Sequence, residues 1–259
     1  MARPSFFILA AALLTLPSAA DPARPTDAPP LQTILDGVIA RDAETQRELK
    51  SMEYNQSVHT ERLDDQGRVS SHQDLKMIVR PGAEQEIQVV EAKGDDIPTD
   101  PDQAAQKAKG QEVARRKQNF DLKTIATRFV ITYQGTSNDL GTKAYILGFE
   151  PKPNQPYSTQ TEKVLDQLHG HLWIRASDDT ILRTEATLVH PVDIAWIFVT
   201  IDKLNFRYEL PPGGSEYGPA WMETSVEVAA PMIRIRQRQR IDMADFRPRD
   251  NLAVAGKKM

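Results

Sequence analysis

Two histidines one residue apart, His169 and His171 in "HGH", would point both imidazoles to one side of a strand, as metal sites on β-sheets do. They would need one or two further ligands, and His190 with the Asp178-Asp179 turn is the nearest source in sequence. Polar residues are common where a strand begins, so the pair reads as hydrogen-bonded or exposed histidines and no metal is assigned. "GGSEYG" is the nearest fragment to a nucleophile elbow, but Tyr217 stands where the second glycine belongs. Ser215 reads as a turn residue after Pro211-Pro212. The carboxylate pairs Asp64-Asp65, Asp95-Asp96 and Asp178-Asp179 sit in turn-like contexts, where aspartate bonds the backbone two residues on. No catalytic residue and no cofactor follow from these fragments.

Binding chemistry is better represented. Phe129, Tyr133, Tyr145, Leu147, Phe149, Trp173, Trp196, Phe198, Phe206, Tyr208 and Trp221 fall in consecutive apolar segments and could line one concave surface able to hold an acyl chain. Each methylene so buried contributes about 0.8 kcal/mol. Phe120, Leu122 and Ile125 could form a lid over it. "PMIRIRQRQRI" places Arg234, Arg236, Arg238 and Arg240 at alternate positions, a candidate contact for anionic headgroups. The preceding "WMETSVEVA" offers Glu223 and Glu227 on its polar face. In a hairpin that buries both apolar faces, Glu227 faces Arg234 or Arg236 and Glu223 faces Arg238 or Arg240. Two acids leave two arginines over. Opposite the arginines, Gln237 and Gln239 interrupt an otherwise isoleucine face.

Strands must position these residues. Leu31, Ile34, Leu35, Val38 and Ile39 recur at helical spacing and predict one amphipathic helix to about Lys50. From Met52 the period falls to two, with a hairpin about Gly67, and about ten strands follow to Pro248. Residues 101–119 predict an exposed helix inserted between strands. The expected class is α+β, mainly β: a large curved antiparallel sheet, an unclosed barrel, with helices covering its concave face.

The 259 residues begin with "MARPSFFILAAALLTLPSAA", which reads as a secretory signal over residues 1–20; its eleven-residue apolar run is too short to span a bilayer. Residues 21–30 form a Pro-rich leader, 31–248 a single domain and 249–259 a tail. The chain has no cysteine, so it lacks a lipidated cysteine and disulfides. Without Arg3, Lys and Arg number 31 against 36 acids, and an acidic secreted chain is a poor nucleic-acid binder.

"GHLWIRASDDTILRTEATL", Gly170 to Leu188, resembles the LolA/LolB-type lipoprotein-sorting family and its periplasmic relatives. The resemblance covers the order of elements from Leu31 to Pro248. It implies an unclosed antiparallel barrel with helices at its mouth and a periplasmic, non-enzymatic protein that binds an apolar ligand, a lipid or lipoprotein acyl chain. The alternative is an envelope regulatory or scaffolding module of the same fold, whose partner is another envelope protein.

Overall fold

In a computed structural model, the residues described are 28–81, 86–95, 97–98, 100–116, 122–195, 199–210 and 221–249. The signal, most of the leader, Phe120, Trp196, Phe198, Ser215 and the tail beyond Arg249 lie outside them, as does the Ile125 side chain. The chain runs α1 (Leu31–Leu49), β1 (Met52–Leu63), β2 (Val69–Arg80), β3 (Glu86–Gly94), α2 (Pro101–Arg116), α3 (Leu122–Arg128), β4 (Phe129–Ser137) and β5 (Ala144–Pro151). It continues through α4 (Gln160–Leu165), β6 (Leu168–Arg175), β7 (Ile181–Leu188), β8 (Val192–Ala195), β9 (Val199–Glu209), β10 (Trp221–Ala230) and β11 (Ile233–Pro248).

All strands join one antiparallel sheet in the order β3-β2-β1-β11-β10-β9-β7-β6-β5-β4, with β8 also on β9. The sheet does not close: its edges are β3 and β4, which the segment carrying α2 and α3 connects. Its centre is sealed by the pairing of β1 with β11, from Met52 opposite Pro248 to Leu63 opposite Arg236. The β1–β2 turn follows its local chemistry. Gly67 takes φ 77°, and Asp64 Oδ1 accepts from the amides of Gln66 and Arg68, both at 2.9 Å.

Alternation sorts the side chains into two faces. The concave face carries two apolar clusters. One joins Tyr54, Val58, Leu75, Met77, Val79, Ile87 and Ile241 at the β1–β2–β3–β11 end. In the other, Ile34 and Val38 of α1 pack on Tyr145, Leu147 and Ile174. The helical stripe of α1 thus finds the sheet it requires, each buried side chain contributing roughly 1.5–3 kcal/mol. On α2 Ala104 is buried, whereas Gln103, Gln106 and Lys107 are exposed, as expected of a helix poor in large apolar residues.

Candidate functional site

Between α1, α3 and the concave face of β4–β7 and β9 lies a cavity of about 370 Å³. Leu35, Val38 and Ile39 roof it from α1, and Leu122 and Ala126 from α3. Phe129, Ile131, Phe149, Leu172, Ala186 and Phe206 are among the sheet residues beneath. Among the described residues its polar lining is Asp42, Thr184 and Tyr208. Burial pushes the Tyr208 phenol well above its ordinary pKa, opposed by a hydrogen bond with Thr184, so the phenol stays neutral. Such a lining can accommodate and orient an apolar ligand. A second, more open hollow of about 740 Å³ has a different character, with Tyr157, His190 and Pro191 on its walls and Lys163 Nζ donating to the Asp193 carbonyl at 2.7 Å.

Of the aromatic and aliphatic set singled out in the sequence, Phe129, Phe149, Phe206 and Tyr208 meet at this cavity. Leu147 and Tyr145 share its face but are packed into the core beneath α1, with the Tyr133 ring 6.4 Å from that of Tyr145. Trp173 and Trp221 are not brought to the cavity. Trp173 alternates with Leu172 and Ile174 and lies on the convex face, where the Arg183 guanidinium sits 5.3 Å from its ring. Trp221 lies beneath Arg207 and Arg240, at 5.5 and 4.9 Å. Residue type alone grouped these tryptophans with the cavity; strand parity separates them. Parity would also have found Leu172, Thr184 and Ala186, cavity residues that a search for aromatics passes over.

The arginines of β11 occupy the convex face. Arg236 lies opposite Glu227 and Arg240 opposite Glu223, the arrangement expected of the hairpin. More acids join them than sequence proximity suggested. Arg234 reaches Glu227 at 2.9 Å and Asp202 at 3.4 Å, and Arg236 reaches Asp65 at 3.2 Å. Arg238 donates to Glu61 at 2.9 Å and Arg240 to Asp242 at 3.0 Å. Each of the four thus has a carboxylate, and the surplus cation expected on this face is taken up by Glu61, Asp65 and Asp202, distant in sequence, and by Asp242, two residues from Arg240. Burial raises the Glu227 carboxyl, but Lys203 and Arg236 outweigh it and hold the pKa below its ordinary value.

His169 and His171 also lie off the concave face, His169 exposed and the His171 ring 5.9 Å from Trp173. Among the described residues no three His, Asp or Glu side chains form a set that could hold a metal ion. A different histidine is tuned. His59 Nδ1 lies 2.6 Å from Asp74 Oδ1 and its Nε2 lies 3.2 Å from Glu61, and these hydrogen bonds, that of Asp74 first, raise its pKa. Its contribution to stability is therefore full below the unfolded value of about 6.5 and is lost as pH rises through the higher folded value. Proton NMR titration should place His59 above that reference, and Asp74→Asn should bring it down; an unchanged midpoint in the variant would refute the assignment. Glu227 works in the opposite sense. Its stabilisation is present above its ordinary pKa and lost as pH falls through the depressed one. Glu227→Gln should cost about 1–3 kcal/mol at neutral pH and flatten the acid limb of urea-unfolding midpoints against pH; a parallel acid limb would show that other carboxylates carry it.

No protein-family model and no curated protein matches the sequence. Among solved structures, the chain is similar to a DUF1329 family protein from Desulfovibrio piger, with 15% identity, 87% of this chain and 95% of that one covered and a TM-score of 0.37. It is also similar to a LolA superfamily protein from Nitrosomonas europaea, with 11% identity, coverage of 89% and 99% and a TM-score of 0.34. A Pseudomonas aeruginosa MucA/MucB complex matches at 10% identity, with coverage of 84% and 99% and a TM-score of 0.27.

Proposed function

We propose that the protein is a periplasmic, non-enzymatic binding protein that holds the apolar part of an amphiphile, an acyl chain of a lipid or lipoprotein, in the cavity between α1, α3 and the sheet. The observation that carries this reading is the lining: among the described residues eighteen surround about 370 Å³, and of these only Asp42, Thr184 and Tyr208 are polar. That volume lies at the lower end of the roughly 300–1,000 Å³ usual for small-molecule pockets. Placement in the periplasm rests on the signal-like N-terminal twenty residues. Affinity would be set by the difference between ligand packing and any repacking of α1 and α3 that accommodates it, not by total burial.

Ala126 reaches the cavity from a seven-residue helix, so a larger side chain there fills the space without entering a strand ladder. A fluorescent fatty acid should bind the protein saturably, and Ala126→Trp should weaken that binding at least about tenfold while leaving the circular dichroism spectrum unchanged. No uptake by the unmodified protein, or equal uptake by the variant, would overturn the acyl reading and favour a protein partner for the same fold.

A further inference from the structure

The cavity occupies one half of a row that continues across the sheet. Ile131, Phe149, Gly170, Ala186 and Phe206 lie directly opposite one another on β4, β5, β6, β7 and β9. The same row then runs through Thr224, Gln239, Thr60 and Gln73 on β10, β11, β1 and β2. Directly opposed residues share a face, so all of them belong to the concave side. The row changes from apolar to polar at one step, Phe206 to Thr224. With strands about 4.8 Å apart, its polar part spans about 15 Å.

These polar residues differ from an ordinary wet strand face. The convex side of the same strands is built of arginines and carboxylates, whereas the concave row has amides and hydroxyls and no ionised group. Thr60, Gln73, Thr224 and Gln239 are all half-buried, and the neighbouring row contains the core residues Val58, Leu75 and Ile241. Polar residues at positions that pattern assigns to an interior mark function more often than stability. Gln239 Nε2 donates to Thr60 Oγ1 at 3.1 Å, which fixes the amide and uses one of its several hydrogen-bonding positions. The exposed Arg62, opposite Gln237 in the next row, is the cation at the open end of this strip.

We propose that the row Thr224–Gln239–Thr60–Gln73 receives the head group of the amphiphile whose chain fills the cavity, and that this head group is uncharged and rich in hydroxyls or amides, not a phosphate, sulfate or carboxylate. The proposal rests on the acyl reading of the cavity. A neutral head group exchanges its water for fixed amides and hydroxyls, while an ionised one loses hydration without meeting a counter-charge within the row.

Calorimetry on the full chain, with alkyl compounds of one chain length below their micelle-forming concentrations, tests it. Dodecyl maltoside should bind about tenfold or more tighter than dodecyl sulfate, and maltose alone should give no measurable binding, which separates a lipid head group from a free sugar. Thr224→Val with Gln239→Leu should lose about tenfold for dodecyl maltoside and less than about twofold for dodecanol. Ala126→Trp should weaken both. Gln239→Glu, a near-isosteric change that keeps the fold if the double variant does not, should shift preference towards dodecyltrimethylammonium. Equal binding of maltoside and sulfate, tighter binding of the sulfate through Arg62, or equal losses for maltoside and dodecanol in the double variant would overturn the head-group assignment and leave the cavity reading standing. Failure of dodecanol to bind at all would overturn both.

Discussion

Arg128→Met should lower stability by about 3–5 kcal/mol in equilibrium urea unfolding. Arg128 ends α3 immediately before Phe129, and its guanidinium grips Asp166 with both arms, Nε to Oδ1 at 2.8 Å and Nη2 to Oδ2 at 2.6 Å. The two side chains are only 12% and 11% exposed. Removing one therefore strands the other charge in a poorly hydrated place. The same guanidinium donates to the Pro156 carbonyl at 2.9 Å, while the Arg128 carbonyl accepts from Lys152 N and from Gln155 Nε2. Lys152, Gln155 and Pro156 before α4 and Asp166 just after it thus all hold the junction of α3 and β4, and α4 between them supplies Leu165 to the cavity wall. Asp166→Leu alone should be similarly damaging. The double variant Arg128→Met with Asp166→Leu should recover most of the loss, since matched apolar replacements of buried pairs are often nearly neutral, but not all of it, because the Pro156 carbonyl loses its donor. Additive losses in the double variant would show that packing, not the ion pair, sets the cost. Acyl uptake should weaken in the single variants through the displaced cavity wall, and recover with stability.

How far the sequence discloses this arrangement depends on whether the signal is local. The α1 stripe, the Gly67 hairpin and the facing of Glu227 and Glu223 towards the arginines follow from period and turn chemistry, and the structure contains them. The supply of acids to those arginines does not, because Glu61, Asp65 and Asp202 reach them through the closure of β1 on β11 and of β10 on β9. Register between strands distant in sequence is set by the whole sheet, not by either strand alone. The same holds for the cavity. Its aromatic members were visible as residue types, but Trp173 and Trp221 lie on the wrong parity, and Ala186, Thr184 and Ala126 matter for being small enough to leave space. Gln237 and Gln239 stood out as interruptions of an apolar face. Only the register places Gln239 beside Thr60 and Thr224 and in line with Phe206.

Gly170→Ala should cost about 3 kcal/mol or more, although one methyl group is all it adds. A Cβ on Gly170 would lie 1.8 Å from the Glu185 carbonyl oxygen and 2.8 Å from Phe149 Cζ. The first obstacle is backbone of the paired strand β7, which can yield only by opening the β6–β7 ladder at its pairing with Ala186. The second is the ring that lies across the glycine from β5 and forms part of the cavity floor. Phe149→Leu should therefore relieve little of the loss, because the carbonyl remains. Gly148→Ala supplies the contrast, since its Cβ would meet the Gln134 side-chain amide at 2.2 Å, the end of a side chain that can swing away. That variant should stay within about 1 kcal/mol of the parent, the gain from a stiffer unfolded chain offsetting part of the adjustment. Equal losses for the two alanine variants in urea unfolding would show that the close approach of β6 to β7 is not what constrains this position. In "HGH" the histidines offered the chemistry, yet on this geometry His169→Ala should be nearly silent, and the residue that the sheet and cavity cannot spare is the glycine between them.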